Sequence, residues 1–332
     1  MRKDYIFNIK LTGKLIAEES DDFLFNVESL KFLDSLILIV GSIANFFILL
    51  ALAVGKSVHN STGSYIFSLT VSNIVSLLDI LEDVLQNNYD MEIYLDRAYT
   101  DRIVFQSSLL TIIVFSIDRY LAICCRDSTQ QKNLSKTTVA IKAVFIIWAF
   151  ATVTAAFELH LYELFRGETG VAVYVFFTTM YLIQFCGGAI GLNVLTFNAL
   201  RGRDRPNDVQ RPHEADAFRL LGNIRKSGRE LILFNQNNVD FFTARNVFFS
   251  VGIISVFVIT ILPDTITTIL YYVPLTSCCK FFTMCATYYL KKFSIIMGPI
   301  VWTCTCQLLR KALRVRPFSI LPNMSLKIIC LT

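Results

Sequence analysis

Asp118 and Arg119 stand side by side in the stretch FSIDRYLAICC, with apolar residues on both flanks. Asp101 lies eighteen residues before Arg119, and Lys292 follows Lys291 in another apolar stretch far along the chain. Charges set in apolar runs are costly unless they pair or sit at a boundary. The chemistry they offer is ion pairing, switching and recognition of a charged ligand. Catalysis has no comparable support, because no Ser-His-Asp, Cys-His or metal-ligand constellation is present. The three His are scattered and the nine Cys include no CxxC pair, so neither a zinc site nor a disulfide framework is indicated.

The elements that position these charges must be membrane helices. Hydrophobic residues make up 54% of the 332-residue chain and charged residues only 17%; the mean hydropathy is +0.53. A soluble chain of this length does not normally combine so few charges with so much apolar matter. The apolar residues come in blocks close to the ~20 residues that cross a bilayer. Seven blocks are predicted, at 32–55, 62–86, 100–124, 138–158, 171–200, 243–273 and 282–305. The second and seventh carry charges and are the weakest. Backbone groups in lipid must bond internally, so the blocks are helices; the short alternating strands of a membrane barrel are not seen. The opening MRKDYIFNIKLTGK lacks the apolar core of a signal peptide, so the first span is expected to direct insertion.

Orientation follows from Lys and Arg placement. Arg126, Lys132 and Lys136 follow the third span, eight Lys and Arg between Arg201 and Arg229 follow the fifth, and Arg310, Lys311, Arg314 and Arg316 follow the seventh. The opposite loops lean acidic, with Asp90, Glu92 and Asp96, then Glu158 and Glu163. The basic side is therefore expected to be cytosolic, with residues 1–31 outside, 32–305 as the bundle, a long cytosolic loop at 201–242 and a cytosolic tail at 306–332. The net charge of +5 includes no basic stripe with interleaved aromatics, so no nucleic-acid partner is expected. No internal repeat supports a transporter built of repeated halves.

Motifs fall on these spans in a telling order. GSIANFF holds Asn45 in the first span, SLTVSN holds Asn73 in the second, and SIDRYLAI ends the third with Asp118, Arg119 and Tyr120. Trp148 stands alone in the fourth; FVITILP in the sixth holds Phe257, Ile261 and Pro263; GPIVW in the seventh holds Pro299. In this the chain resembles a divergent rhodopsin-like (class A) G-protein-coupled receptor from about Phe32 to Leu313. The resemblance implies an all-α membrane protein, a seven-helix bundle, with CQLLRKAL as a short amphipathic eighth helix on the inner leaflet. It implies an extracellular ligand, a peptide or small molecule, and a heterotrimeric G protein as partner. Asp118 would restrain Arg119 at the cytosolic boundary, and Pro263 would let the sixth helix hinge. Asn45, Asn73 and Trp148 would be helix-packing residues.

The departures from the family pattern are as informative. Asn73 replaces the usual acid, Ile261 the Trp below the ligand pocket, Gly298 the usual Asn and Trp302 the usual Tyr; the fifth span has no Pro. Sodium modulation is therefore expected to be weak or absent. The family disulfide has no Cys to form it, although Cys278, Cys279 and Cys285 could pair locally. Asp101 matches the acid of amine receptors, while Lys292, in KFSIIMGP, matches the retinal lysine of opsins. These two positions face each other across the family's pocket, so an Asp101–Lys292 salt bridge is expected, with Tyr288 and Ile261 nearby. Retinal on Lys292 stays open as an alternative, with Arg97 at the common counterion position; a seven-helix transporter or channel is a second. Asp79, Glu82 and Asp83 are read as a solvated outer face, or alternatively as a docking site for a basic peptide or amine. The sequons at Asn60, Asn133 and Asn323 fall on the cytosolic side and are expected to carry no glycan. Cys304, Cys306 and Cys330 are palmitoylation candidates. Few Ser or Thr stand in the tail, so arrestin capture there is expected to be limited.

Overall fold

The computed structural model describes residues 27–55, 60–89, 91, 96–124, 137–165, 168–203, 249–270, 280–306 and 309. Seven helices account for nearly all of them: α1 (Val27–Val54), α2 (Ser61–Tyr89), α3 (Arg97–Cys124), α4 (Thr137–Leu164), α5, α6 (Phe249–Leu270) and α7 (Lys280–Thr305). Helix α5 has three segments, Glu168–Gln184, a π-helical turn Phe185–Ile190 and Gly191–Arg203. Helices α1 to α6 are long and apolar enough to cross a membrane. Helix α7 has the length but carries Lys291 and Lys292 and is not among them. Of the stretch expected as the eighth helix, only Cys306 and Leu309 are described, and both are buried in the main core. The Cys278 and Cys279 pairing, most of the 201–242 loop and the sequons at Asn133 and Asn323 lie outside the described residues.

The packing is that of a membrane bundle. Large apolar side chains such as Phe46, Phe145, Phe176 and Ile259 face outward, where lipid tails are as apolar as they are. The interior takes small polar residues that let helices approach and bond across: Ser68 Oγ and Thr111 Oγ1 are 2.9 Å apart, and Ser72 Oγ and Ser107 Oγ 3.3 Å. Helix α3 is central, touching α2, α4 and the last segment of α5. The main core gathers Phe115, Phe185, Phe249, Phe257 and Trp302; a second cluster joins Ile37, Leu77, Ile80, Ile295 and Ile296 from α1, α2 and α7.

Three local features set the frame. Asn60 caps α2, its Oδ1 accepting the Gly63 N–H at 3.0 Å, as a residue before a helix does to satisfy the exposed first-turn donors. The π-turn stands in the helix that lacks Pro. The Gly191 N–H donates to the Cys186 carbonyl five residues back, and Gly188 packs so close to α3 that a Cβ would come within 3.2 Å of Ile113. Helix α4 runs to Leu164 instead of ending near 158, which carries Glu158 out of the expected loop and into the bundle.

Gly41 sets the contact of α1 with α2 and α7. A Cβ there would lie 3.0 Å from Leu77 Cδ2 and 3.1 Å from Ile295 Cγ2. Overpacking of this kind costs about 1–3 kcal/mol. Gly41→Val is expected to lower the unfolding midpoint of detergent-purified protein, whereas Gly187→Val, whose Cβ meets nothing within 4 Å, is expected to cost less. Equal losses would show that Gly41 is not a packing constraint.

Candidate functional site

The site is built from the α3 boundary upward. Arg119 Nη2 bonds and ion-pairs with Asp118 Oδ2, and both residues are buried. Ser61, at the start of capped α2, bridges them: Arg119 Nη2 donates to Ser61 Oγ at 3.2 Å, and that hydroxyl donates to Asp118 Oδ2 at 3.3 Å. The guanidinium carbon sits 5.2 Å from the Phe115 ring centre, and Phe115 meets Tyr65 and Phe249 edge-on at 5.7 and 5.6 Å. Arg119 Nε is buried without a hydrogen-bond partner. Tyr120 is half-buried beside the pair. The arginine is thus clamped by α2 and α3 but incompletely satisfied, which is a poised arrangement rather than a settled one.

The middle of the bundle is held by amides. Pro299 lies inside α7 and cannot donate to the carbonyl of Ile295, four residues earlier. Asn45 Nδ2 reaches that carbonyl at 3.1 Å and bonds Gly41 O at 2.8 Å, while Asn73 Nδ2 donates to Asn45 Oδ1 at 3.0 Å. Trp148 Nε1 donates to Ser68 Oγ at 3.1 Å, tying α4 to α2. Phe257 stacks on Phe185 at 4.3 Å and lies 6.1 Å from Phe105, with Pro263 farther along α6. The two departures in α7 fit one another: a Cβ on residue 298 would come within 3.1 Å of Trp302 Cζ2, so the larger ring occupies the bare face of Gly298.

Toward the other end of α3, roughly 27 Å from Arg119 at 1.5 Å per helical residue, a charge network corrects two expectations. Asp101 and Lys292 do not pair. Lys292 Nζ lies 2.7 Å from Asp34 Oδ1 on α1 and 3.3 Å from Asp83 Oδ2 on α2. Asp101 Oδ2 is instead 3.3 Å from Lys291 Nζ, which also lies 3.9 Å from Asp264. The reason is helical geometry. Consecutive residues point about 100° apart, so the adjacent lysines of α7 face different neighbours. Nor do Asp79, Glu82 and Asp83 form a solvated face. Asp83 is 5% and Asp79 9% exposed, and Arg97 bonds Asp83 Oδ1 at 2.7 Å, Glu82 Oε2 at 3.0 Å and the Asp79 carbonyl at 3.3 Å. A cation one helix away draws the acids inward. Between α2, α3, α6 and α7 lies a cavity of about 80 Å³ lined in part by Asp79, Asp101, Phe105, Ile261, Tyr288 and Lys292.

A second buried network had no place in the sequence reading beyond a loop assignment for Glu158. Glu158, fully buried, has Oε1 3.1 Å from Arg102 Nη2, and its Oε2 accepts Tyr181 Oη at 3.2 Å and Gln106 Nε2 at 3.3 Å. Arg102 also donates to Thr178 Oγ1 at 3.1 Å and lies 4.0 Å over the Tyr174 ring. The signal that could have found this pair is an acid and a base of opposite sign inside two predicted spans.

Retinal does not fit these residues. Lys292 is held by two carboxylates, and a cavity of about 80 Å³ falls below the ~300 Å³ at which pockets begin to enclose drug-sized ligands.

A bundle of seven helices with an Asp-Arg pair buried at one end of α3 and a charged cavity toward the other defines a class of membrane receptor. The chain belongs to the 7 transmembrane receptor (rhodopsin family), whose family model matches residues 44–302. Among curated proteins it is similar to the pyrokinin-1 receptor of Drosophila melanogaster, at 29% identity over 36% of this chain and 29% of the relative. It is also similar to the neuromedin U receptor homolog nmur-2 of Caenorhabditis elegans, at 29% identity over 36% of this chain and 31% of the relative. The human 5-hydroxytryptamine receptor 2C matches at 26% identity over 44% of this chain and 32% of the relative. The matched stretches thus span under a third of those relatives' own length.

Proposed function

We propose that this protein is a multi-pass plasma-membrane receptor that binds an extracellular ligand and activates a heterotrimeric G protein. The observation that carries this reading is the buried Asp118–Arg119–Ser61 clamp at the end of α3, in a chain of the rhodopsin family. The Lys and Arg of the loops after the third, fifth and seventh spans support a cytosolic position for that end and an extracellular N-terminus. Ligand engagement near α2, α3 and α7 would shift α6 and α7 about Pro263 and Pro299. Arg119 would then leave Asp118 and Ser61 and become available to a partner's helix end. The similar receptors are named for pyrokinin, neuromedin U and 5-hydroxytryptamine, and a peptide or small-molecule ligand is in keeping with that variety. Lipid is the solvent of the outer face, and arrestin would meet the same cytosolic surface.

The test needs no ligand. A hydrogen bond to a charged group contributes about 1.5–3 kcal/mol, so removing the restraint shifts a two-state balance by roughly tenfold or more. Asp118→Asn is expected to raise ligand-free nucleotide exchange on G proteins in cell membranes several-fold, and Arg119→Ala to abolish it. Exchange no higher with Asp118→Asn than with the unaltered receptor, across the G-protein classes, would sink the reading.

A further inference from the structure

We propose that Asp79 is a binding site for an organic cation, the ammonium or guanidinium head of a ligand that enters the cavity between α2, α3 and α7. The proposal rests on the receptor reading for its ligand but not on G-protein coupling.

Asp79 is 9% exposed, lines the cavity, and its Oδ1 is buried without a hydrogen-bond partner. Each neighbouring cation is already committed twice. Arg97 serves Asp83 and Glu82, Lys292 serves Asp34 and Asp83, and Lys291 serves Asp101 and Asp264. Arg97 reaches the carbonyl of Asp79 and not its carboxylate. Six carboxylates therefore share three cations, and among the described residues Asp79 is the one acid of that network with no ion pair. A buried carboxylate without a partner is strongly unfavourable, so this position calls for a positive charge from outside the chain.

The walls indicate what kind of charge. Phe105, Ile261 and Tyr288 line the same cavity, and aromatic and aliphatic walls suit an organic cation, whose charge also gains from ring faces. A bare metal ion needs several oxygen ligands, and the other carboxylates of the cavity are held by lysine or arginine. A volume of about 80 Å³ admits a head group and leaves the rest of the ligand outside. The acid on α3, Asp101, is a weaker site because Lys291 occupies it and its side chain is 44% exposed.

The experiment uses the purified full chain in detergent and follows its unfolding midpoint. Benzylamine and benzamidine, both cationic at neutral pH, are titrated as hydrochlorides alongside benzyl alcohol and alongside sodium chloride added to the same ionic strength. Binding to the folded form raises the midpoint with concentration. The expected result is a rise of about 3 °C with at least one organic cation and none with the alcohol or the salt. Asp79→Asn is expected to remove that rise, and Asp101→Asn to keep it. Without any probe, Asp79→Asn is expected to melt no lower than the unaltered chain, because an unpaired charge has been removed. The proposal is overturned by a rise that survives Asp79→Asn, by one lost in Asp101→Asn alone, by one that sodium chloride matches, or by none at all. It is equally overturned if Asp79→Asn melts lower without probe, since Asp79 would then have a structural partner. No G protein takes part, so failure here leaves the coupling test standing, and silent coupling in cells leaves this test readable.

Discussion

Arg102→Met, which leaves Glu158 charged and alone among α3, α4 and α5, is expected to destabilise the receptor by about 3–5 kcal/mol. Glu158 is 0% exposed, so water cannot replace the lost guanidinium. Tyr181 and Gln106 still donate to its Oε2, but neither neutralises the charge. The unfolding midpoint in detergent and the fraction reaching the cell surface should both fall. The double change Arg102→Met with Glu158→Leu is expected to recover most of the loss, because a buried ion pair replaced by apolar residues of similar volume is often neutral or better. A single change as mild as the double one would show that the pair is not desolvated in the membrane.

The second large effect separates two adjacent lysines. Lys292→Met strips two buried carboxylates, Asp34 and Asp83, whose side chains are 6% and 7% exposed. Arg97 continues to serve Asp83, so the stranded charge is mainly that of Asp34, and the expected cost is again about 3–5 kcal/mol. Lys291→Met acts on Asp101 and Asp264, whose side chains are 44% and 20% exposed. Pairs that see solvent contribute about 0–1 kcal/mol, so this change is expected to be mild. Adding Asp34→Asn to Lys292→Met should restore part of the stability, as read by the same midpoint. Equal losses from the two lysines would refute the division of labour drawn from the geometry.

How far these features could be read in advance depends on what kind of information each needs. Span number and order rest on apolar block length, and all seven helices are present where the blocks lie. Asp118 and Arg119 stand on one helix, so their pairing depends on side chains long enough to span the ~100° between consecutive residues and not on how one helix is turned against another. The Asp101–Lys292 pairing failed for the opposite reason. Whether Lys291 or Lys292 faces α3 depends on the rotation of α7, and family alignment alone does not settle which neighbour is nearer. Asp34 was overlooked because one acid in FLDSLILIV barely perturbs an apolar block, and its partner is more than 250 residues away. Glu158 was misplaced because α4 overruns its apolar block by a turn and a half, and only tertiary burial reveals the overrun. The π-turn carried a faint mark, the Gly187–Gly188 pair, but its consequence lies in the contact with Ile113.

The paired lysines also constrain how α7 can move. Lys291 is pinned toward α3 and α6, and Lys292 toward α1 and α2. A spin of the helix about its own axis would tear both sets of contacts at once, so the two side chains act as opposed stays on a mast. Beyond them the Ile295 carbonyl accepts the Asn45 amide, opposite the missing donor of Pro299. Bending is cheap at that joint and rotation is not. Motion of α7 should therefore reach the Arg119 end as a tilt of its last two turns about Pro299, with the lysine end standing still.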